Sequence, residues 1–387
     1  MSYLEEIRQI QSDLLEFLDD EPNNEENFIK LSASFEYYNI NDTQNKLKLI
    51  LRLISKISNN YNRKKDFFDK IDRVLTHFKD KIKEYFSNFE IFRIFKSNKR
   101  ILLFLIEQGI MTIDKYIITI ITKQKYVDSK YPQYFQPEIK PFITSEFIEK
   151  YHQKNKINNS EKQQVNNNDN NWIEDIEKEL PDHFYEKRKI GENDDYLCGL
   201  IREDLVKEFI SHVYKTNLPL DTFIKTSIYE TNSFLLRKDK ISLIEYAAFF
   251  GAIQIFQYLR INEVTLTQKL WLFTIHGKNA EMIHLLEDKD ILPEDKTYKT
   301  CFKQSIIYHH NDVANYFQNN CLQTDEENTY ETFIKSIKNY NFAFIQNEFI
   351  NNSAFNELCK YDYYILVEIL LNNANIDLNM LVISIVI

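Results

Sequence analysis

His309-His310, standing between Cys301 and Cys321, is the sequence's best approach to a metal-ligating set. Adjacent residues on a helix point about 100° apart, and no C-x₂₋₄-C or H-x₃₋₅-H spacing accompanies them, so the pair reads as turn residues rather than ligands. His276 and His284 lie eight apart without a third partner and read as single surface histidines. Cys198, Cys301, Cys321 and Cys359 are widely spaced with no C-x-x-C, the pattern of reduced thiols. No G-x-S-x-G elbow or H-R-D-like loop occurs. The acidic pairs (Asp19-Asp20-Glu21, Glu25-Glu26, Asp194-Asp195) sit in polar surroundings and read as solvated faces. There are 5 glycines, Gly109, Gly191, Gly199, Gly251 and Gly277, and none lies within five residues of another. Phosphate-cradling loops need clustered glycines for close backbone approach. The expectation is a chain that is not an enzyme and has no catalytic residue, cofactor or metal site.

A chain of 387 residues with 43% hydrophobic side chains has ample apolar surface to bury. Its 48 Lys+Arg against 58 Asp+Glu give −10, the wrong sign for a dedicated nucleic-acid binder. The charge is uneven. Residues 63–100 carry 12 basic and 6 acidic side chains, whereas residues 1–42 carry 2 basic and 11 acidic. Carboxylates interleave with the basic residues, so 63–100 reads as a solvated helix face that docks the acidic leader. The alternative function, an adaptor for nucleic acid or an anionic membrane surface, would rest on this stretch. The start of the chain lacks an apolar signal core. The longest apolar runs, such as Ile101–Ile106, fall far short of the roughly 20 residues a membrane span needs. A cytoplasmic, soluble protein without a transmembrane segment is expected.

Positioning elements follow from periodicity. Phe67, Ile71, Val74, Leu75, Phe78, Ile82 and Tyr85 make one stripe of a long helix, and Leu4–Leu18 and Leu47–Ile57 make others. Pro132, Pro137 and Pro141 predict an extended, irregular stretch over 127–143. Residues 152–171 contain eight Asn and three Gln and almost nothing apolar, as a disordered linker would. The expected division is a helical N-terminal domain, 1–151 (degenerate repeats by a weak echo in 43–109), a linker at 152–171, and a repeat block, 172–387.

The repeat block is the main observation. Units beginning at Ser242, Lys269, Thr300, Glu331 and Ser353 succeed one another at steps of 27, 31, 31 and 22 residues. Position three is apolar throughout: Ile244, Trp271, Phe302, Phe333 and Phe355. Position seven is Ala248, Ile275, Ile306, Ile337 and Cys359, and positions fourteen and fifteen are apolar again. Small or polar residues interrupt each unit at ten and eleven: Gly251-Ala252, Lys278-Asn279, His309-His310, Asn341 and Asp362. Each unit is therefore two short amphipathic helices joined by a tight turn, and only stacked neighbours can cover the apolar face. Asp204–Ile210 reads as the second helix of an atypical first unit, followed by a long insertion at 211–240.

Ser242–Leu259 (SLIEYAAFFGAIQIFQYL) resembles the ankyrin consensus through Ala247-Ala248, Gly251, Ile255 and Leu259. Leu370–Asp377 looks like the segment that closes such a repeat. The Asn/Lys/Ile-rich style is similar to the divergent ankyrin-like proteins of parasitic protists. The resemblance implies an all-α fold, an ankyrin-like solenoid of helical hairpins preceded by a helical N-terminal domain. It implies a non-catalytic scaffold that binds a protein partner through its concave face. By the same resemblance, the partner-facing residues are the tips Lys238, Asp239, Gln268, Lys299 and Tyr330, together with Phe249, Phe250, His276, Ile307, Tyr308 and Lys338 at or near positions eight and nine. The apolar end, Leu381–Ile387, is expected either to mark a truncation of the array or, over Val382–Ile387, to be covered by the preceding helices or another molecule.

Overall fold

Leu4, Ile7, Ile10, Leu14, Phe17 and Leu18 recur at helical spacing and form the buried face of α1, Tyr3–Asp19. In the structure, a computed structural model, residues 3–20, 25–61, 66–122, 130–144, 176–322 and 326–372 are described, with the isolated positions 147, 149 and 173. The expected linker at 152–171 and the C-terminal Leu381–Ile387 lie outside them. The fold is all-helical; among the described residues the β structure amounts to an isolated bridge between Phe223 and Ser242.

Two compact units emerge: one of residues 1–85, 195–225 and 232–387, the other of 86–194 and 226–231. The division does not follow the expected boundary at the Asn-rich tract. Residues 1–85 pack with the repeat block, and 211–240 is divided between the units.

In the first unit, α1 pairs with α2 (Glu25–Tyr37), followed by α3 (Gln44–Asn60), α4 (Phe67–His77) and α5 (Lys79–Tyr85). The stripe is buried from Phe67 to Ile82, with Tyr85 half-buried, but the long helix breaks at Phe78 into α4 and α5. The basic stretch does engage the acidic leader: Lys70 donates to the Asp20 carbonyl at 2.7 Å, and Arg73 pairs with Glu25.

The second unit contains α6 (Asn88–Phe95), α7 (Lys99–Glu107), α8 (Lys115–Thr122), α9 (Tyr131–Tyr134), α10 (Gln136–Ile139) and α11 (Phe184–Ile190). Its core is pinned by Arg188, bidentate to Glu138 at 2.9 and 2.7 Å. The expected extended segment is largely helical here. Pro132 and Pro137 occupy first-turn positions of α9 and α10, where the missing N–H costs nothing.

The repeats return in the first unit as hairpins: α12 (Tyr196–Arg202) with α13 (Val206–Thr216), α14 (Leu243–Phe250) with α15 (Ile253–Ile261), α16 (Leu270–Gly277) with α17 (Ala280–Asp288), and α18 (Lys299–Ile307) with α19 (Asn311–Asn320). After α20 (Glu326–Asn339) come three 3₁₀ turns, Phe342–Phe344, Asn347–Phe349 and Asn352–Ala354, and then α21 (Phe355–Lys360) with α22 (Tyr364–Asn372). The first helices touch in succession: α12 on α14, α14 on α16, α16 on α18 and α18 on α20. Ile244, Trp271, Phe302 and Phe333 are all buried.

One backbone feature recurs in all six units. Asp204, Gly251, Lys278, His309, Tyr340 and Asp362 each sit in the left-handed region, at φ 49, 70, 52, 59, 58 and 61°. In five of the six turns the next N–H reaches back to a carbonyl five residues earlier: Leu205 to Leu200, Ala252 to Ala247, His310 to Ser305, Asn341 to Ser336 and Tyr363 to Leu358. This is the Schellman closure, which satisfies carbonyls left over at a helix end. Glycine is present at one of these positions. Gly277 serves another need: a Cβ there would meet the Ala248 carbonyl oxygen at 2.2 Å, so it lets α16 approach α14.

Candidate interaction surface

The residues named from the sequence divide by burial. Asp239, Gln268, Tyr330 and Lys338 are exposed, and Lys238, Phe250, Lys299 and Ile307 are half-buried. Phe249, His276 and Tyr308 are fully buried and do not face a partner. The cause is the insertion: Phe234 lies on them, 5.8 Å from Phe249 and 5.9 Å from Tyr308 between ring centroids, while His276 stacks on Phe249 at 3.8 Å. Asn232 holds this segment in place, accepting from the Phe234 N–H at 2.9 Å and lying 3.3 Å from His276 Nε2. Lys238 follows, its ammonium over the Phe234 ring.

The inter-helix turns from Lys278 onward also meet the N-terminal helices of the same unit. His309 and His310 are turn residues as expected, yet both are buried, as is His276, while His284 is exposed and pairs with Glu287. Gln11 of α1 makes the central contact. Its Nε2 donates to Asn341 Oδ1 at 2.8 Å and lies 3.1 Å from His309 Nδ1, and its Oε1 accepts from the Phe342 N–H at 2.7 Å. With Nδ1 accepting, His309 Nε2 donates to the Asn339 carbonyl at 3.0 Å, a neutral tautomer with both nitrogens satisfied. His310 Nε2 bonds the His276 carbonyl at 3.1 Å, and the ring packs against Tyr61. Burial lowers His309 to about 3 and His310 to about 4, so both are uncharged near neutral pH. Arg8 donates to the Phe342 and Ile345 carbonyls, Lys278 pairs with Asp19 at 2.9 Å, and Arg52 pairs with Asp362 at 2.8 Å.

Two clefts among the described residues of this unit bear on the surface. One, of about 330 Å³, runs beside α1 and is lined by Arg8, Glu16, Asp19, Lys278, His309 and Asp312 among others. Lys278 pairs there with Asp19 and Asp312, while Arg8 pairs with Glu5 and Glu16 with Lys30. The other, of about 580 Å³, lies between the loops ahead of α16 and α18. It combines the exposed Gln268 with Leu266, Ile291 and the exposed Leu292, flanked by Lys269, Asp290, Glu294 and Lys296. Leu266 and Leu292 went unremarked in the sequence reading because they fall in loops, outside any helical period.

Among the described residues no group of three or more His, Cys, Asp or Glu could hold a metal ion, and no helix is long and apolar enough to cross a membrane. Of the basic residues of 63–100, Lys70, Arg73 and Lys81 engage groups of the first unit, and Arg100 bonds the Lys189 carbonyl in the second. No family model, curated protein or solved structure matches the chain.

Proposed function

We propose that this chain is a protein-binding scaffold whose stacked hairpins form an ankyrin-like solenoid and hold a partner on the loops that precede the first helices. The observation that carries this reading is the contrast in cover: the inter-helix turn at His309-His310 and the ends of the first helices lie under the chain's own segments, whereas Asp239 and Gln268, in the loops ahead of the first helices, and Tyr330, near the start of α20, are exposed. The cleft at Gln268 adds an apolar floor with charged edges, the composition of an interface centre and its rim. The partner-facing set is accordingly Lys238, Asp239, Gln268, Leu292, Lys299 and Tyr330. The test uses the full chain as bait, with Leu292→Asp and Tyr330→Ala as variants. Retention of a defined partner should fall at least tenfold in the variants while the melting temperature stays within about 1 °C, since substitutions at exposed sites cost little stability. Unchanged retention in both variants excludes this face.

A further inference from the structure

The loop ahead of α14 already carries an extended segment of the chain's own insertion. Residues 221–225 read Asp-Thr-Phe-Ile-Lys and run antiparallel to it. The Ile224 N–H donates to the Ile241 carbonyl at 2.8 Å, the Leu243 N–H donates to the Thr222 carbonyl at 3.2 Å, and Phe223 stands opposite Ser242. Thr222 and Ile224 are half-buried while Asp221, Phe223 and Lys225 are exposed, the alternation of a strand with one covered face. The loop ahead of α16 alternates in the same way, Val264 and Leu266 half-buried, Thr265 and Thr267 exposed. The same register on this loop would use the Thr265 carbonyl and the Thr267 N–H, with Leu266 in the place of Ser242. Neither of those groups has a partner in the chain among the described residues.

Leu266 and Thr267 also line the cleft of about 580 Å³, together with Ile291 and the exposed Leu292. Its four charged side chains, Lys269, Asp290, Glu294 and Lys296, have no opposite charge within ion-pair distance among the described residues. In the cleft beside α1, by contrast, the charges are paired.

We propose that the cleft takes an extended segment of the partner protein by strand addition, with an apolar residue at its centre, an acidic residue before it and a basic residue after it. The proposal rests on the reading of these loops as the partner-holding face and adds the partner's chemistry. Strand addition draws affinity from main-chain bonds and specificity from alternate side chains. A helix, whose backbone groups are spent internally, would leave the Thr265 carbonyl and the Thr267 N–H unmet. The central apolar side chain lies beside Leu266 and Leu292. Antiparallel order brings the acidic residue toward Lys269, and Asp290 and Glu294 are the carboxylates open to the basic one.

The probe is the order the chain itself uses once, acetyl-Asp-Thr-Phe-Ile-Lys-amide, titrated with the full chain by ligand-observed NMR. Binding is expected at a Kd of roughly 1 mM or tighter. N-methylation of the isoleucine amide removes the donor to the Thr265 carbonyl and should weaken binding about fivefold or more. Exchanging the phenylalanine for alanine should weaken it about tenfold. Reversing the two charged ends should weaken it about threefold at low salt. On the protein side, Thr267→Pro and Leu292→Asp should each weaken it about tenfold, which places binding at this cleft rather than at the Ile241 loop. The modified peptides keep the test decisive if Thr267→Pro does not fold. No binding of the probe, equal binding of its N-methylated form, or binding undiminished in both protein variants overturns the proposal. Self-association of the full chain that Leu292→Asp abolishes makes the occupant a second copy and overturns it as well. If the probe fails while Leu292→Asp still costs the chain its protein partner, strand addition is overturned and the scaffold reading stands without it.

Discussion

The turn at Gly251-Ala252 and the turn at His309-His310 share one backbone and almost nothing else. Both place the first residue near φ +60 to +70° and close with the same pair of N–H···O contacts. The earlier turn uses glycine, which adopts this region freely. The later one places a branched imidazole there, at a cost of about 1 kcal/mol, and buries two rings beneath Gln11 and Tyr61. The difference teaches that turn geometry belongs to the repeat, while the residue filling it belongs to whatever covers it.

Acid should separate the two turns most. His309 and His310 are neutral in the fold, with lowered values of about 3 and 4, whereas an unfolded histidine takes up its proton near 6.5. Their contribution is therefore complete above pH 6.5 and is lost as pH falls toward 4. At pH 5 the loss is roughly 2 kcal/mol for each ring, about 4 kcal/mol for the pair. Urea midpoints at pH 7 and pH 5 measure it. His310→Gln should flatten the slope, and an unchanged slope would show that the acid sensitivity arises elsewhere.

Gly277→Ala tests the glycine side. A methyl group 2.2 Å from the Ala248 carbonyl forces α16 away from α14, with about 3 kcal/mol of destabilisation expected from overpacking. Chemical denaturation reads it directly, and a loss below 1 kcal/mol would mean that the helices part easily. The smallest effect is expected at Gly251, where alanine should cost about 1 kcal/mol and asparagine less, because asparagine tolerates the left-handed region. Equal losses for the two would mean that the 3.0 Å approach to the Gly277 carbonyl, rather than torsion, sets the cost.

Much of the repeat was legible. Spacing placed Ile244, Trp271, Phe302 and Phe333 in equivalent buried positions, and placed every interruption at a turn. Three things were hidden. Left-handed residues at Lys278, His309, Tyr340 and Asp362 carry no glycine signal, so only the backbone reveals them. Phe344 and Ile345 matched the pattern of a second helix, yet 3₁₀ turns replace it. Asn351 accepts from the Ser353 N–H at 3.0 Å, a local contact that competes with helix. Last, the burial of Phe249, His276 and Tyr308 depends on Phe234, and that of His309 on Gln11; such long-range partners leave no periodic trace.

The Gln11 and Arg8 contacts also set an order of events during synthesis. Their partners, His309, Asn341, Phe342 and Ile345, stand about 300 residues downstream, and those of Arg52 equally so. At translation speeds of about 5–20 residues per second, the leader leaves the ribosome roughly 15–60 s before these partners exist. Helices α1 and α3, with apolar faces ready, spend that interval shielded by α2 and α4 or by a chaperone. The clasp that joins the first turns of the chain to its later repeats thus cannot close until those repeats have been made.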